Sequence, residues 1–130
     1  MKILQPAGWP RPKGYANGIS AKGRMIFTAG IVGWDEHESI VSHRFEDQLD
    51  KTLENILAIL AEDGASAEHI VRMTMYVTDK VEYLARRDEL APIWKARMGS
   101  HFPAIALVEV KGLVNPAAKI EIETTAVVPE

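Results

Sequence analysis

Between residues 43 and 78 the apolar residues change period once, and this constrains the fold more than any other feature. In "HRFEDQLDKTLENILAILAE", residues 43–62, Phe45, Leu49, Leu53, Ile56, Leu57 and Leu60 recur at three- and four-residue spacing. That spacing makes one apolar stripe on a helix. Ser42 can cap its start, Glu46 and Asp47 suit its first turns, and Gly64 can end it. In "HIVRMTMYVT", residues 69–78, the period drops to two. Val71, Met73, Met75 and Val77 point one way; Arg72, Thr74 and Tyr76 point the other. That alternation predicts a strand.

The flanking segments extend the pattern. "PAGWPRPKG", residues 6–14, is rich in proline and glycine and reads as an irregular entry segment. Turn signals "NG" and "KG" bound a β-prone run, which predicts a hairpin over 16–29. "GWDEHES" is a polar loop. Residues 79–99 predict a second helix, with Asp79 and Glu82 at capping-box spacing. Leu84, Leu90, Ile93, Trp94 and Met98 supply its apolar side, and Pro92 predicts a kink or break near its middle. Two strands, about 104–111 and about 118–127, close the chain. In the second, Ile120, Ile122, Thr124 and Ala126 alternate with Lys119, Glu121, Glu123 and Thr125.

Strands, helix, strand, helix, two strands predict an α+β domain, with two helices on one face of a single mixed sheet. The chain's 130 residues suit one domain. Two helices cover only one face, yet residues 104–108 are apolar throughout, as in strands buried on both sides. The open face therefore calls for a partner, and a second copy of the chain is the simplest one.

Composition narrows the function. There is no cysteine, so thiolate catalysis, disulfides and cysteine-bound zinc are excluded. His37, His43, His69 and His101 form no compact ligand spacing, and no metal or cofactor is expected. A net charge of −3 gives no general attraction to nucleic acid or anionic membranes. No stretch approaches the roughly 18 apolar residues of a membrane span, and "MKILQPAGWPRPKGY" holds no signal-peptide core. A cytoplasmic protein is expected. No serine lies in a nucleophile-elbow context, which disfavours acyl-enzyme chemistry.

"GYANGI", "MIFTAG", "LENILAILAEDGASAEHIVRMTMYVTD", "FPA" and "KIEIETTAV" occur in order from about residue 8 to 127. Together they resemble the RidA/YjgF family. The resemblance implies a chorismate-mutase-like α+β protomer, a homotrimer, and a small-molecule site in each inter-subunit cleft. Well-known members hydrolyse reactive enamines and imines, such as 2-aminoacrylate, to 2-oxo acids and ammonia. Others act on amino-diene acids such as 2-aminomuconate, and some were named endoribonucleases.

Carried over by position, the family's cleft tyrosine corresponds to Tyr15, and its acidic, water-positioning residue to Glu121. Its "SGQ" segment reads Ala29-Gly30-Ile31 here: the glycine is kept and the glutamine is not. Where deaminating members read "FPARS", this chain reads "FPAIA". Ile105 thus replaces the arginine that clamps the substrate carboxylate, and Leu107 replaces a cysteine common in that subgroup. An isoleucine cannot supply a bidentate arginine–carboxylate contact.

The resemblance therefore implies Glu121 and Tyr15 as catalytic groups, with Gly30, Ile31, Ile105, Leu107, Trp34 and Asn17 toward substrate. Trp34 could stack on a flat substrate, whereas Asn17, before a glycine, reads first as a turn residue. One of Arg11, Arg72, Arg86, Arg87 and Arg97 could replace the clamp from another direction, although such arginines are more often surface or ion-pair residues. The leading expectation is a cofactor-free hydrolytic deaminase with weak activity on 2-aminoacrylate or 2-iminopropanoate. The alternatives are a non-catalytic small-molecule binder and, third, a ribonuclease.

Overall fold

A computed structural model describes residues 1–130. In chain order its elements are β1 (Lys2–Leu4), β2 (Gly18–Ser20), β3 (Arg24–Phe27), α1 (Phe45–Ala61), β4 (Ile70–Val77), α2 (Lys80–Ala85), α3 (Arg87–Met98), β5 (Ala104–Glu109) and β6 (Ile120–Val128). One turn of 3-10 helix, Ala67–His69, leads into β4. No helix is long and apolar enough to cross a membrane.

The α1 stripe forms as its spacing predicts. Phe45, Leu49, Leu53, Ile56 and Leu60 are buried, and Leu57 packs beside them. They meet Met73, Met75 and Val77 of β4 and Ile120, Ile122 and Ala126 of β6, which face the helices. Burying each such side chain contributes roughly 1.5–3 kcal/mol.

The capping expectation for α1 is corrected. Arg44, not Ser42, is the N-cap residue, and no side chain caps the helix. Ser42 lies two residues earlier, where its Oγ accepts the Arg44 N–H at 3.0 Å and donates to Asp47 Oδ2 at 2.7 Å. Buried Gln48 ties the helix to the chain entering β6: Nε2 donates to Ser42 O and Ala117 O, and Oε1 accepts the Lys119 N–H.

The sheet is mixed, as expected, but it is not single. Four strands run in the order β3-β6-β4-β5, and β1 with β2 forms a separate two-stranded ribbon. Residues 16–29 are therefore not a hairpin: β2 pairs with β1, while β3 pairs with β6. Turn signals mark where a chain bends but leave the choice of partner to long-range packing. Only β4 and β5 run parallel, joined by α2 and α3.

Two further expectations change. A bulge at the start of β4 shifts its register between Ile70 and Arg72, so Ile70 and Met73 are both fully buried. A bulge inserts one residue and reverses the alternation, which puts Ile70, not Val71, in the core. The second helix breaks at Arg86, not at Pro92, which lies inside α3. Arg86 leaves helical geometry (φ −104°, ψ 7°), and its side chain reaches Glu46 of α1 at 3.1 Å. Leu84 is largely exposed; Tyr83 instead packs edge-on to Phe45. Asp79 caps α2 by accepting the Val81 and Glu82 N–H groups, whereas Glu82 turns to Lys119 rather than completing a capping box.

Candidate functional site

The sheet face turned away from the helices carries Glu121, Glu123 and Thr125 of β6 beside Arg72, Thr74 and Tyr76 of β4. Met25 and Phe27 of β3 share this face, since they pair with Val127 and Thr125. Both are well exposed, at 58% and 66%.

Glu121 is half-buried and directly opposite Tyr76. The chain leaving β3 arches over it. Ile31 exchanges two main-chain hydrogen bonds of 2.9 Å with Ile122, which fixes Gly30 above the neighbouring Glu121 side chain. A Cβ on Gly30 would lie 2.7 Å from Glu121 Cδ and overlap the carboxylate. Gly30 and Glu121 are thus brought together, while Ile31 turns into the core.

Glu123, two residues on, accepts the Tyr76 hydroxyl at 2.7 Å. That bond, with lost hydration and the charges of Glu123 and Glu121, holds the phenol above its ordinary value of 10.0. Tyr76 therefore stays a neutral donor near pH 7. A small cavity of about 240 Å³ lies along the same face, lined by Phe27, Thr28, Arg72, Thr74, Glu123 and Thr125.

Tyr15 belongs to a different place. The Ala16 N–H donates to Pro103 O at 3.0 Å, and Ala16 bridges Ala104, so Tyr15 sits at the start of β5. Glu121 lies four residues further along the strands, since Ala104 is level with Arg72 and Val108 with Tyr76. Strand geometry separates them by about 13 Å along the sheet and about 14 Å across it. One protomer does not present both groups to one small substrate.

Tyr15 instead lines a larger cavity of about 650 Å³ with Gln5, Trp9, Arg11, His101 and Phe102. Asn17 is neither a turn residue of a hairpin nor a wall of this cavity. Its Nδ2 donates to Gln5 Oε1 at 2.8 Å and steadies a residue that is.

Ile105 and Leu107 do not form an apolar wall beside Glu121 in the protomer. They are level with Met73 and Met75 and pack against the helix-covered core. Ala104, Ala106 and Val108 are the β5 residues on the Glu121 face. Parity along β5 correctly groups residues 105 and 107, but only the pairing with β4 decides which face they take.

Trp34 lies over α1. Asn55 Nδ2 donates to its carbonyl at 2.8 Å, and Trp34 lines neither cavity. Its loop is closed by Asp35, whose Oδ1 accepts the His37 and Ser39 N–H groups. Those bonds hold the Asp35 carboxyl below its ordinary range. No group of three or more His, Asp or Glu side chains is placed to hold a metal ion.

Sequence reasoning did not single out Tyr76 and Glu123, although both share the parity of residues it placed on the open face. It also passed over Trp9 and Phe102, which no periodicity marks.

Residues 10–128 match the family model described as Endoribonuclease L-PSP. A RutC family protein of Pyrococcus abyssi is 35% identical over 119 residues, spanning 90% of this chain and 89% of its own. TdcF of Escherichia coli K12, described as a candidate reactive intermediate deaminase, is 28% identical over 97% of this chain and 96% of its own. Among solved structures, YyfB of Yersinia pestis, of the conserved Rid protein family, superposes with a TM-score of 0.85 at 26% identity, covering 98% of both chains. E. coli TdcF with bound serine gives 0.71 at 28% identity, covering 98% of this chain and 99% of the other.

Proposed function

From the premise that this chain belongs to the Endoribonuclease L-PSP family, the RidA/YjgF family, we propose that it is a cofactor-free, cytoplasmic hydrolytic deaminase. Its substrate is a small imine, enamine or amino-diene acid, and ammonia is released. The observation that carries this reading is the Glu121 carboxylate set against the Gly30 main chain. No arginine, lysine or histidine ion-pairs with that carboxylate. A carboxylate not engaged by a cation is available to move protons through a water.

The chemistry balances without a cofactor. An enamine gains a proton on carbon and becomes an iminium. Glu121 takes a proton from water as the oxygen bonds to the iminium carbon, and returns it to the nitrogen of the resulting carbinolamine. The C–N bond then breaks as the new hydroxyl gives up its proton, which replaces the one added to carbon, leaving a carbonyl and ammonia. Tyr15 and the Gly30 main chain orient the substrate.

The separation of Tyr15 from Glu121 within one protomer favours a site built between copies, in a homotrimer. Exposed Met25 and Phe27 on the open sheet face favour the same assembly. Glu121→Gln tests the reading in an imine and enamine screen that follows ammonia. Lost release with the trimer intact supports it; unchanged release removes Glu121 from the mechanism.

One observation favours a second reading, a non-catalytic small-molecule binder. At the position of the expected clamp, Ile105 packs into the core and offers no polar group. Ligand binding with no ammonia release from any imine would select it. The family's ribonuclease description is not carried over, because Glu121 and Glu123 on the open face repel phosphate and the net charge is −3.

A further inference from the structure

The missing clamp leaves the substrate carboxylate without a receiver on β5, and the cavity around Tyr15 holds another candidate. Arg24, Arg44, Arg86 and Arg97 are each held by carboxylates. Arg87 is in no ion pair but donates to Leu84 O and lines neither cavity, whereas Arg11 and Arg72 are in no ion pair and each lines a cavity. The two cavities differ in charge. The Arg72 cavity also contains Glu123, which offsets the cation. The Arg11 cavity has no acidic side chain in its lining. Its volume of about 650 Å³ is within the usual range for small-molecule sites, and the Arg72 cavity of about 240 Å³ falls short of it.

The segment that carries Arg11 is fastened at several points. Gln5 Nε2 donates to both Trp9 O and Pro10 O, at 3.3 and 3.2 Å, and Asn17 holds the other end of the Gln5 amide. Gly8 and Gly14, at φ +85° and +82°, make the two bends that most residues resist. Across the cavity, Phe102 stacks on Trp94 with ring planes 2° apart. His101 Nε2 lies 2.6 Å from Ile70 O; a carbonyl only accepts, so Nε2 carries the hydrogen. Trp9, Tyr15 and Phe102 are each at least 40% exposed, so three aromatic surfaces are open for contact.

The geometry points to Arg11 as the receiver of the substrate's carboxylate, in a cavity whose Trp9, Tyr15 and Phe102 walls select a planar aromatic or extended conjugated acid. This rests on the reading of the Tyr15 cavity as the substrate side of the deaminase, and it names the substrate class. A three-carbon acid would occupy the Arg11 end and leave the aromatic walls unused. A flat ring or diene covers them and gains stacking contacts.

The test is calorimetric titration of the full-length protein with three unreactive probes. They are trans-cinnamate, its neutral isostere cinnamamide, and crotonate, which keeps the conjugated acid and lacks the ring. Wild type is expected to bind cinnamate about tenfold or more tightly than either of the others, the size expected for a charge-assisted bond and for ring burial. Arg11→Gln should erase the preference for cinnamate over cinnamamide, and Trp9→Ala should erase the preference over crotonate. Arg11 is exposed and unbonded, so the fold should survive its replacement. Cinnamate affinity unchanged in Arg11→Gln overturns the proposal, as does a loss seen only with Arg72→Gln or no cinnamate binding by wild type. The readout needs no turnover. Arg11-dependent binding without ammonia release keeps the clamp and sinks the deaminase; ammonia release without cinnamate binding does the reverse.

Discussion

Gly30 leaves no room for a side chain above Glu121: a Cβ there would lie 2.7 Å from Cδ and 3.1 Å from Cγ of the acid. What it meets is the end of a movable side chain, not main chain. Gly30 also lacks the positive φ that would forbid a side chain.

Gly30→Ala should therefore fold. Glu121 can swing to another rotamer at a cost of about 0.5–1.5 kcal/mol or less, but its carboxylate leaves its place. Thermal stability should fall by only a few degrees while ammonia release drops at least about tenfold. Wild-type turnover in this variant would show that the carboxylate's position is irrelevant.

Gly33→Ala is the contrasting case. Its Cβ would lie 2.7 Å from Gln48 O and 3.0 Å from Gln48 Cα, both main-chain atoms of α1. A helix backbone cannot step aside as a side chain can. The cost should be about 1–3 kcal/mol, read as a lowered urea midpoint. A midpoint within error of wild type would mean that the loop shifts freely.

Gln48→Leu should cost about 2–4 kcal/mol. The change strands the Ser42 and Ala117 carbonyls and the Lys119 N–H around a fully buried site. Hydrogen exchange at Lys119 should quicken more than exchange within α1. Uniform quickening would instead point to global destabilisation.

Glu46, buried in the first turn of α1, has its carboxyl held below its ordinary value of 4.5. Its own main-chain N–H contributes most; Arg44 and Arg86 add to it, and burial opposes them. The sign follows from linkage. A depressed folded-state value stabilises the protein fully above pH 4.5, and that stability is lost as pH falls below it through the folded value. Melting temperatures of wild type and Glu46→Gln should differ near pH 7 and converge as pH drops below 4.5. A gap that stays constant down to pH 3 would assign the effect to shape, not charge.

Much of the fold is legible in the sequence because it is local. The α1 stripe from Phe45 to Leu60 and the alternation of Ile120, Ile122, Thr124 and Ala126 need only the periods of helix and strand. Asp79 was legible as a cap for the same reason. The site was legible only by position in a resembling pattern, which implies a cleft between subunits; within one protomer Ile105 and Tyr15 lie apart from Glu121. The pairing of β5 with β4 turns Ile105 into the core, and the Ala16–Ala104 bridge carries Tyr15 to the far end of the strands.

By itself, then, the sequence determined the class of fold, the apolar faces of its elements, and the absence of thiol chemistry. Tertiary structure alone decided which strand pairs with which, that β2 deserts β3, that Gly30 roofs Glu121, and that Arg11 shares a cavity with Tyr15. The reason is range. Period and capping act within a few residues, whereas each of these relationships joins segments far apart in sequence, whose meeting depends on packing the whole core.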